Sequence, residues 1–236
     1  MYKNILVIVL LGFIYPVYSQ NDTISKHLYM EFEFNFDFLN NTPSGYKAQW
    51  NKSLGGEFDL RYNIKLGNKG LIFTPGFGLS KLQFYSNLKF DLLNNKTEIQ
   101  IIPDNQDYYK NGFNFTFVSL PFLLRYVTKP NKNNLYFSFE GGLDIGYIVN
   151  SEIDYSIKSN EIITTSSIIN NSNINPIQNR IIGRISARRF KIYNNQKVGL
   201  STFLGGEYSL SSIFKQNEGP NLKYYCLGFG VGFIFE

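Results

Sequence analysis

The chain has 236 residues, and its charged fraction is 17% against a typical ~25%, while aromatics also reach 17%, carried by 22 Phe and 17 Tyr. That mixture excludes a disordered chain, which is charge-rich and aromatic-poor. One Cys excludes a disulfide framework and a multi-Cys zinc site, and one His excludes the usual two- or three-His metal centres. No metal or cofactor is therefore expected. The net charge of +5 is too small and too scattered to indicate nucleic acid.

Residues 1–19 read as a secretory signal peptide. Lys3 supplies the positive start, residues 5–15 form an apolar stretch of 11, and Val17-Tyr18-Ser19 offers a cleavage site before Gln20. No Cys follows, so a lipoprotein anchor is excluded. Removing Lys3 leaves 22 basic and 18 acidic residues in the mature chain. No further apolar run of ~20 residues is present to make a membrane helix.

The mature chain, residues 20–236, is dominated by alternation with a period of two, the pattern of strands with one apolar and one polar face. In the first run Leu28, Met30, Phe32, Phe34, Phe36 and Phe38 alternate with Tyr29, Glu31, Glu33, Asn35 and Asp37. The second sets Phe58, Leu60 and Tyr62 against Glu57, Asp59, Arg61 and Lys65, and the third covers about 71–85. The fourth, about 113–127, changes phase near Phe117, which predicts a β-bulge there. The fifth, about 135–147, opposes Phe137, Phe139 and Leu143 to Glu140 and Asp144. The sixth, about 180–193, is the weakest, with Ile181 and Ile185 against Arg184 and Arg188. The seventh (about 197–210) carries Glu207 on its polar face, and the eighth (225–235) alternates aromatics with Cys226, Gly228, Gly230 and Gly232.

Alternation alone does not say which face points inward. A lipocalin-like barrel turns its apolar face in, and a membrane barrel turns it to lipid. The runs exceed the ~5–6 residues of soluble strands and suffice for the ~9–11 of a tilted membrane strand. The connections alternate between long, roughly 15, 26, 30 and 12 residues, and short, 66–70, 128–134 and 194–196, the layout of an outer-membrane barrel. The expectation is an all-β, eight-stranded antiparallel up-and-down barrel in the cell outer membrane. Its termini and short turns are periplasmic and its long loops extracellular. Phe233-Ile234-Phe235 looks like the terminal signal read by outer-membrane assembly machinery, although Glu236 follows the usual last Phe.

The stretch Val118-Ser119-Leu120-Pro121-Phe122-Leu123-Leu124-Arg125-Tyr126 resembles the Pro-centred strand motif of the PorT-like outer-membrane β-barrel family. Phe139-Glu140-Gly141-Gly142-Leu143-Asp144-Ile145-Gly146-Tyr147 and the Gly-aromatic last strand look like further hallmarks. Arg125 stands where Lys is common, and Arg184, Arg188 and Arg189 stand where the family is often Gly-rich. The resemblance implies a membrane barrel without assigned activity; the namesake's association with protein secretion does not transfer on it. Pro121 removes a ladder donor and predicts a structural kink at a bulge or an irregular pair.

With the polar faces turned inward, a charge set forms: Glu31, Glu33, Asp37, Glu57, Asp59, Glu140, Asp144 and Glu207 against Arg61, Lys65, Arg125, Arg184 and Arg188. The interior of an eight-stranded barrel is only wide enough for side chains. Arg184 and Arg188 are therefore expected to reach Glu31, Glu33, Glu57 or Asp59 across the axis. A structural plug of paired charges is the plainer reading, and a cation-selective path the sharper one. His27, just before the first run, reads as an interface or turn residue rather than a general base. Asp104 and Asp107 read as loop composition, Cys226 as a buried filler, and Trp50 as an interface anchor.

The expected role is non-catalytic: structural, adhesive or porin-like work by loops and lumen. The alternatives are an accessory component of secretion or surface assembly, with a protein partner at the extracellular loops, and a periplasmic lipocalin-like ligand-binding barrel with an apolar interior.

Overall fold

The computed structural model describes residues 27–67, 70–93, 96–103, 107–159, 162–169, 172–193, 196–215, 217–218 and 220–235. The signal peptide expected at 1–19 lies outside them, as does Asp104. Twelve strands follow one another among the described residues: β1 (His27–Asn40), β2 (Leu54–Lys65), β3 (Leu71–Tyr85), β4 (Leu88–Leu93), β5 (Lys96–Ile101) and β6 (Asp107–Val127) come first. Then come β7 (Leu135–Ser159), β8 (Ile162–Ile169), β9 (Ile177–Tyr193), β10 (Gln196–Ser209), β11 (Asn217–Glu218) and β12 (Lys223–Phe235).

Eight of these close an antiparallel barrel in the order β1, β2, β3, β6, β7, β9, β10, β12, with β12 returning to β1 and β6 pairing with β7. Closure removes the open sheet edges that hydrocarbon cannot satisfy. The remaining strands decorate the long-loop end. β4, β5 and β11 form a small separate sheet, and β8 folds back on the far part of β7. The loops thus extend the strands beyond the barrel wall.

The two faces are sorted in the membrane sense. Large apolar residues point outward and stay exposed, Phe34 at 63%, Leu204 at 61% and Phe229 at 50%. The inward face is buried and divided into two levels. Towards the short turns it is charged. Towards the long loops it is apolar: Leu82, Phe84, Phe113, Phe115, Phe117 and Tyr224 meet Leu88, Phe90, Ile174, Ile213, Phe214 and Leu222 from the strands and connections above. The Phe90 and Phe113 rings meet edge-on at 4.2 Å, and Phe84 lies 5.7 Å from Tyr224.

This division corrects the expected phase change in the fourth run. The inward alternation of β6 is unbroken through Phe113, Phe115, Phe117, Ser119, Pro121, Leu123 and Arg125. What changes near Phe117 is the chemistry of the interior, so that apolar residues occupy both faces above it. A register shift does occur there, but the extra residue is on β7: Phe117 faces Ile148 while Thr116 faces Asn150, leaving Val149 unmatched. Pro121 sits at an irregular pair rather than a bulge. Pro75 faces Phe122 and Gly78 faces Ser119, and the two positions between do not pair, without any change of register. Pro75 borders the interruption and Pro121 lies within it, each strand thus lacking one ladder donor there.

Candidate functional site

The charged level of the lumen gathers Glu31, Glu33, Glu57, Asp59, Arg61, Arg125, Glu140, Asp144, Arg184, Arg188 and Glu207, all buried. Strand register alone creates a problem there. Pairing of β1 with β2 places Glu33 opposite Glu57 and Glu31 opposite Asp59, two like-charged pairs that repel across one ladder. The answer comes from β9 on the other side of the barrel. The Arg184 guanidinium lies 2.7 Å from Glu33, 3.1 Å from Glu31, 3.4 Å from Asp59 and 3.5 Å from Glu57. It also lies 3.3 Å from Glu207 and 4.0 Å from Glu140. Six carboxylates therefore converge on one side chain.

Glycines make the approach possible. Arg184 is the cross-strand partner of Gly205, and Arg61 is the partner of Gly76. A Cβ at either glycine would stand 2.6 Å from the Cγ of its arginine, inside contact distance. The arginine stems lie in the space so left. Arg61 then binds Glu31 and Glu140 and lies 3.2 Å from Asp59. Arg125 binds its cross-strand partner Glu140 and donates to Asn63 at 3.1 Å.

Arg188 behaves differently from the expectation. It is buried in the lumen, but among the described residues it forms no ion pair. It donates to Ser186 at 3.2 Å and to the Tyr29 hydroxyl at 3.4 Å, and its guanidinium stacks 5.0 Å from the Tyr29 ring centre. Arg125 stacks on the same ring at 4.4 Å. The physical reason is height: Arg188 is two inward positions nearer the short turns than Arg184, at the level of Tyr29 rather than of the carboxylates. Lys65, grouped with the lumen bases by alternation, lies at the end of β2 and is exposed.

One central residue was missed. Arg180 is fully buried, its Nε donates to Asp144 at 2.8 Å, and its Nη1 lies 2.6 Å from Glu207 and 3.3 Å from Glu57. The signal was available: Arg180, Arg184 and Arg188 recur every four residues, so a period of two places all three on one face. Asp37 is buried but stands apart from the arginines, accepting from the Gln83 backbone N–H at 2.8 Å. Cys226 is free and buried within the apolar cap.

Residues 18–215 match the family model described as outer membrane protein beta-barrel domain. The chain belongs to that family. This outer-membrane β-barrel protein also resembles solved barrels at low identity. Neisserial surface protein A is 9% identical with a TM-score of 0.41, over 89% of this chain and 98% of that one. Ail, the attachment invasion locus protein of Yersinia pestis, solved with the heparin analogue sucrose octasulfate, is 12% identical with a TM-score of 0.36, over 89% and 99%. The N-terminal barrel domain of Pseudomonas aeruginosa OprF is 10% identical with a TM-score of 0.30, over 90% and 100%. No curated protein matches the chain. The family shown is the broad barrel domain, wider than the PorT-like kinship expected from residues 118–126.

Chemically, the lumen of this outer-membrane barrel is a cross-brace. Five guanidiniums and seven carboxylates fill the charged level, and packed rings fill the other. Among the described residues, no group of His, Cys, Asp and Glu is arranged to hold a metal ion. His27 opens β1, with its backbone opposite Asn63 at the short-turn end.

Proposed function

We propose that this outer-membrane barrel is a closed, non-catalytic base whose work is structural or adhesive and is done by its extracellular additions. The observation that carries this reading is the double seal of the lumen. A charge network braced through Arg184 lies beneath an aromatic layer that extends from Phe84 and Phe113 into Phe90 and Phe214 of the loops. Above that seal, the β4–β5–β11 sheet and the β7–β8 hairpin offer ordered surface. The ligand-binding alternative needs an apolar interior at mid-barrel, where this chain carries charges.

The test is conductance of the purified barrel in planar bilayers. The closed reading expects no stable channel steps. Reproducible steps with cation selectivity would overturn it in favour of a porin-like role, since acids outnumber bases in the lumen.

A second reading, an accessory of secretion or surface assembly, is favoured by one feature. Among the described residues β8 is the last strand of its sheet, pairing with β7 on one side only, and a free edge accepts an added strand from a partner. Co-purification of one stoichiometric protein, lost when residues 160–170 are shortened, is the outcome it requires.

A further inference from the structure

The lipid-facing wall carries a groove of about 560 Å³ across β7, β9, β10 and β12. Register sets its floor. Phe137, Ala187, Thr202 and Val231 are direct partners in one row, so two small side chains lie between two larger ones. Phe139 and Phe229 stand at the corners of the next row towards the long loops. The groove is almost wholly apolar, as expected for a wall in hydrocarbon.

In the other direction the floor leads to charge. The next row towards the short turns places Arg189 between Leu135 and Leu200, and Lys191 follows beside Val198. Both alternate outward from Arg188 and are exposed. Arg189 lies four residues before the end of β9, roughly 13 Å along the strand. An outward arginine at that depth is costly unless its head reaches the interface and meets a counter-charge. Among the described residues neither Arg189 nor Lys191 has a partner. Lys129 and Lys132 add two exposed cations in the neighbouring turn between β6 and β7. Exterior acids such as Asp91 and Glu98 lie at the opposite end, in β4 and β5.

We propose that this groove is a binding site for an anionic glycerophospholipid of the periplasmic leaflet. One acyl chain lies over Ala187 and Thr202, and the phosphate is held by Arg189 and Lys191. Charge complementarity selects this occupant. A second copy of the chain in the same membrane would bring the same cations to the same height on both faces, which opposes association. A zwitterionic lipid would fill the groove but gain less from the paired cations.

The test uses the purified full chain reconstituted in phosphatidylcholine vesicles, with spin-labelled phosphatidylglycerol and phosphatidylcholine compared as probes. The immobilised fraction should favour phosphatidylglycerol about thirtyfold, from the attraction of two basic residues near the surface. Arg189→Gln with Lys191→Gln should bring the two probes level, while the unboiled barrel keeps its fast migration on SDS gels. Ala187→Trp should reduce immobilisation of phosphatidylglycerol with the cations intact. Equal immobilisation in the wild type, or a preference that survives the double charge variant, overturns the proposal. Efficient disulfide-linked dimers of Thr202→Cys in native membranes would also overturn it and give the groove to a second copy.

Discussion

Replacing Arg184 with Met keeps a long side chain and removes the charge on which six carboxylates converge. The neighbours do not lose equally. Glu31, Asp59 and Glu140 keep Arg61, and Glu57 and Glu207 keep Arg180. Among the described residues Glu33 has an ion pair with Arg184 alone, and it faces Glu57 across the ladder. Removing one partner of a buried pair costs about 3–5 kcal/mol, because the remaining charge stays buried without compensation. Arg184→Met should therefore destabilise the barrel by that amount, read from urea unfolding in lipid vesicles followed by the SDS-gel mobility shift. The loss should be concentrated on one orphaned carboxylate, so adding Glu33→Gln should recover about half of it or more, a coupling that a double-mutant cycle measures. Arg188→Met is the control. That arginine contacts Ser186 and Tyr29 rather than an acid, and its removal should cost only about 1 kcal/mol. Equal and small losses at positions 184 and 188, with no rescue by Glu33→Gln, would refute the assignment of Arg184 as the central brace.

Three other expectations follow from single positions. A Cβ at Gly230 would collide with the ring of Phe203 and with the Phe32 carbonyl, so Gly230→Val should lower the yield of heat-modifiable barrel, and Phe203→Ala should restore part of it. Cys226 is buried in the apolar cap, so a maleimide should label it only after boiling, whereas labelling of the folded barrel would mean that the cap opens. Tyr46, in the connection between β1 and β2, packs against the cap, and burial pushes its hydroxyl up to about 12 despite a backbone hydrogen bond at Leu39. Its contribution to stability is fully present below about pH 10 and is lost as pH rises through 12, because the unfolded state ionises first. Absorbance titration of wild type against Tyr46→Phe should isolate one late-titrating tyrosine.

The wall of the barrel was legible because its exterior and interior obey one rule over most of the chain. Phe32, Phe34 and Phe36 against Glu31, Glu33 and Asn35 state the rule without ambiguity. It loses its sign where the interior becomes apolar. Phe113, Phe115 and Phe117 look like lipid-facing residues, and only the rings of Phe90 and Phe214 from distant connections explain why they point inward. Arg184 could be aimed at Glu31, Glu33, Glu57 and Asp59 from strand count alone, since those strands face each other across a narrow lumen. The height of each charge was not readable in the same way. The connection between β7 and β9 is long and does not fix their register, so the pairing of Arg180 with Asp144 and of Arg184 with Glu140 appears only in three dimensions. That is also why Arg188 was matched to acids when its level holds Tyr29.

A charged interior is a poor way to gain stability, since well-packed apolar residues of similar volume often do as well or better than buried ion pairs. What it supplies to a membrane barrel is a difference between the two faces. With an apolar lumen, both faces of every strand would be acceptable to lipid, and a one-residue slip that exchanges them would carry little penalty. Here the same slip in β9 would turn Arg180, Arg184 and Arg188 outward, at about 2–4 kcal/mol each near the bilayer midplane. It would also leave Glu33, Glu57 and Asp144 without their partners. The upper level of the lumen, which is apolar and lacks this protection, is where the register does shift, at Val149. There the interior is fixed instead by strands and connections folded over the barrel end, with Phe90 and Phe214 set against Phe113. The charge network and the aromatic cap therefore hold register by different means at the two levels of one narrow lumen.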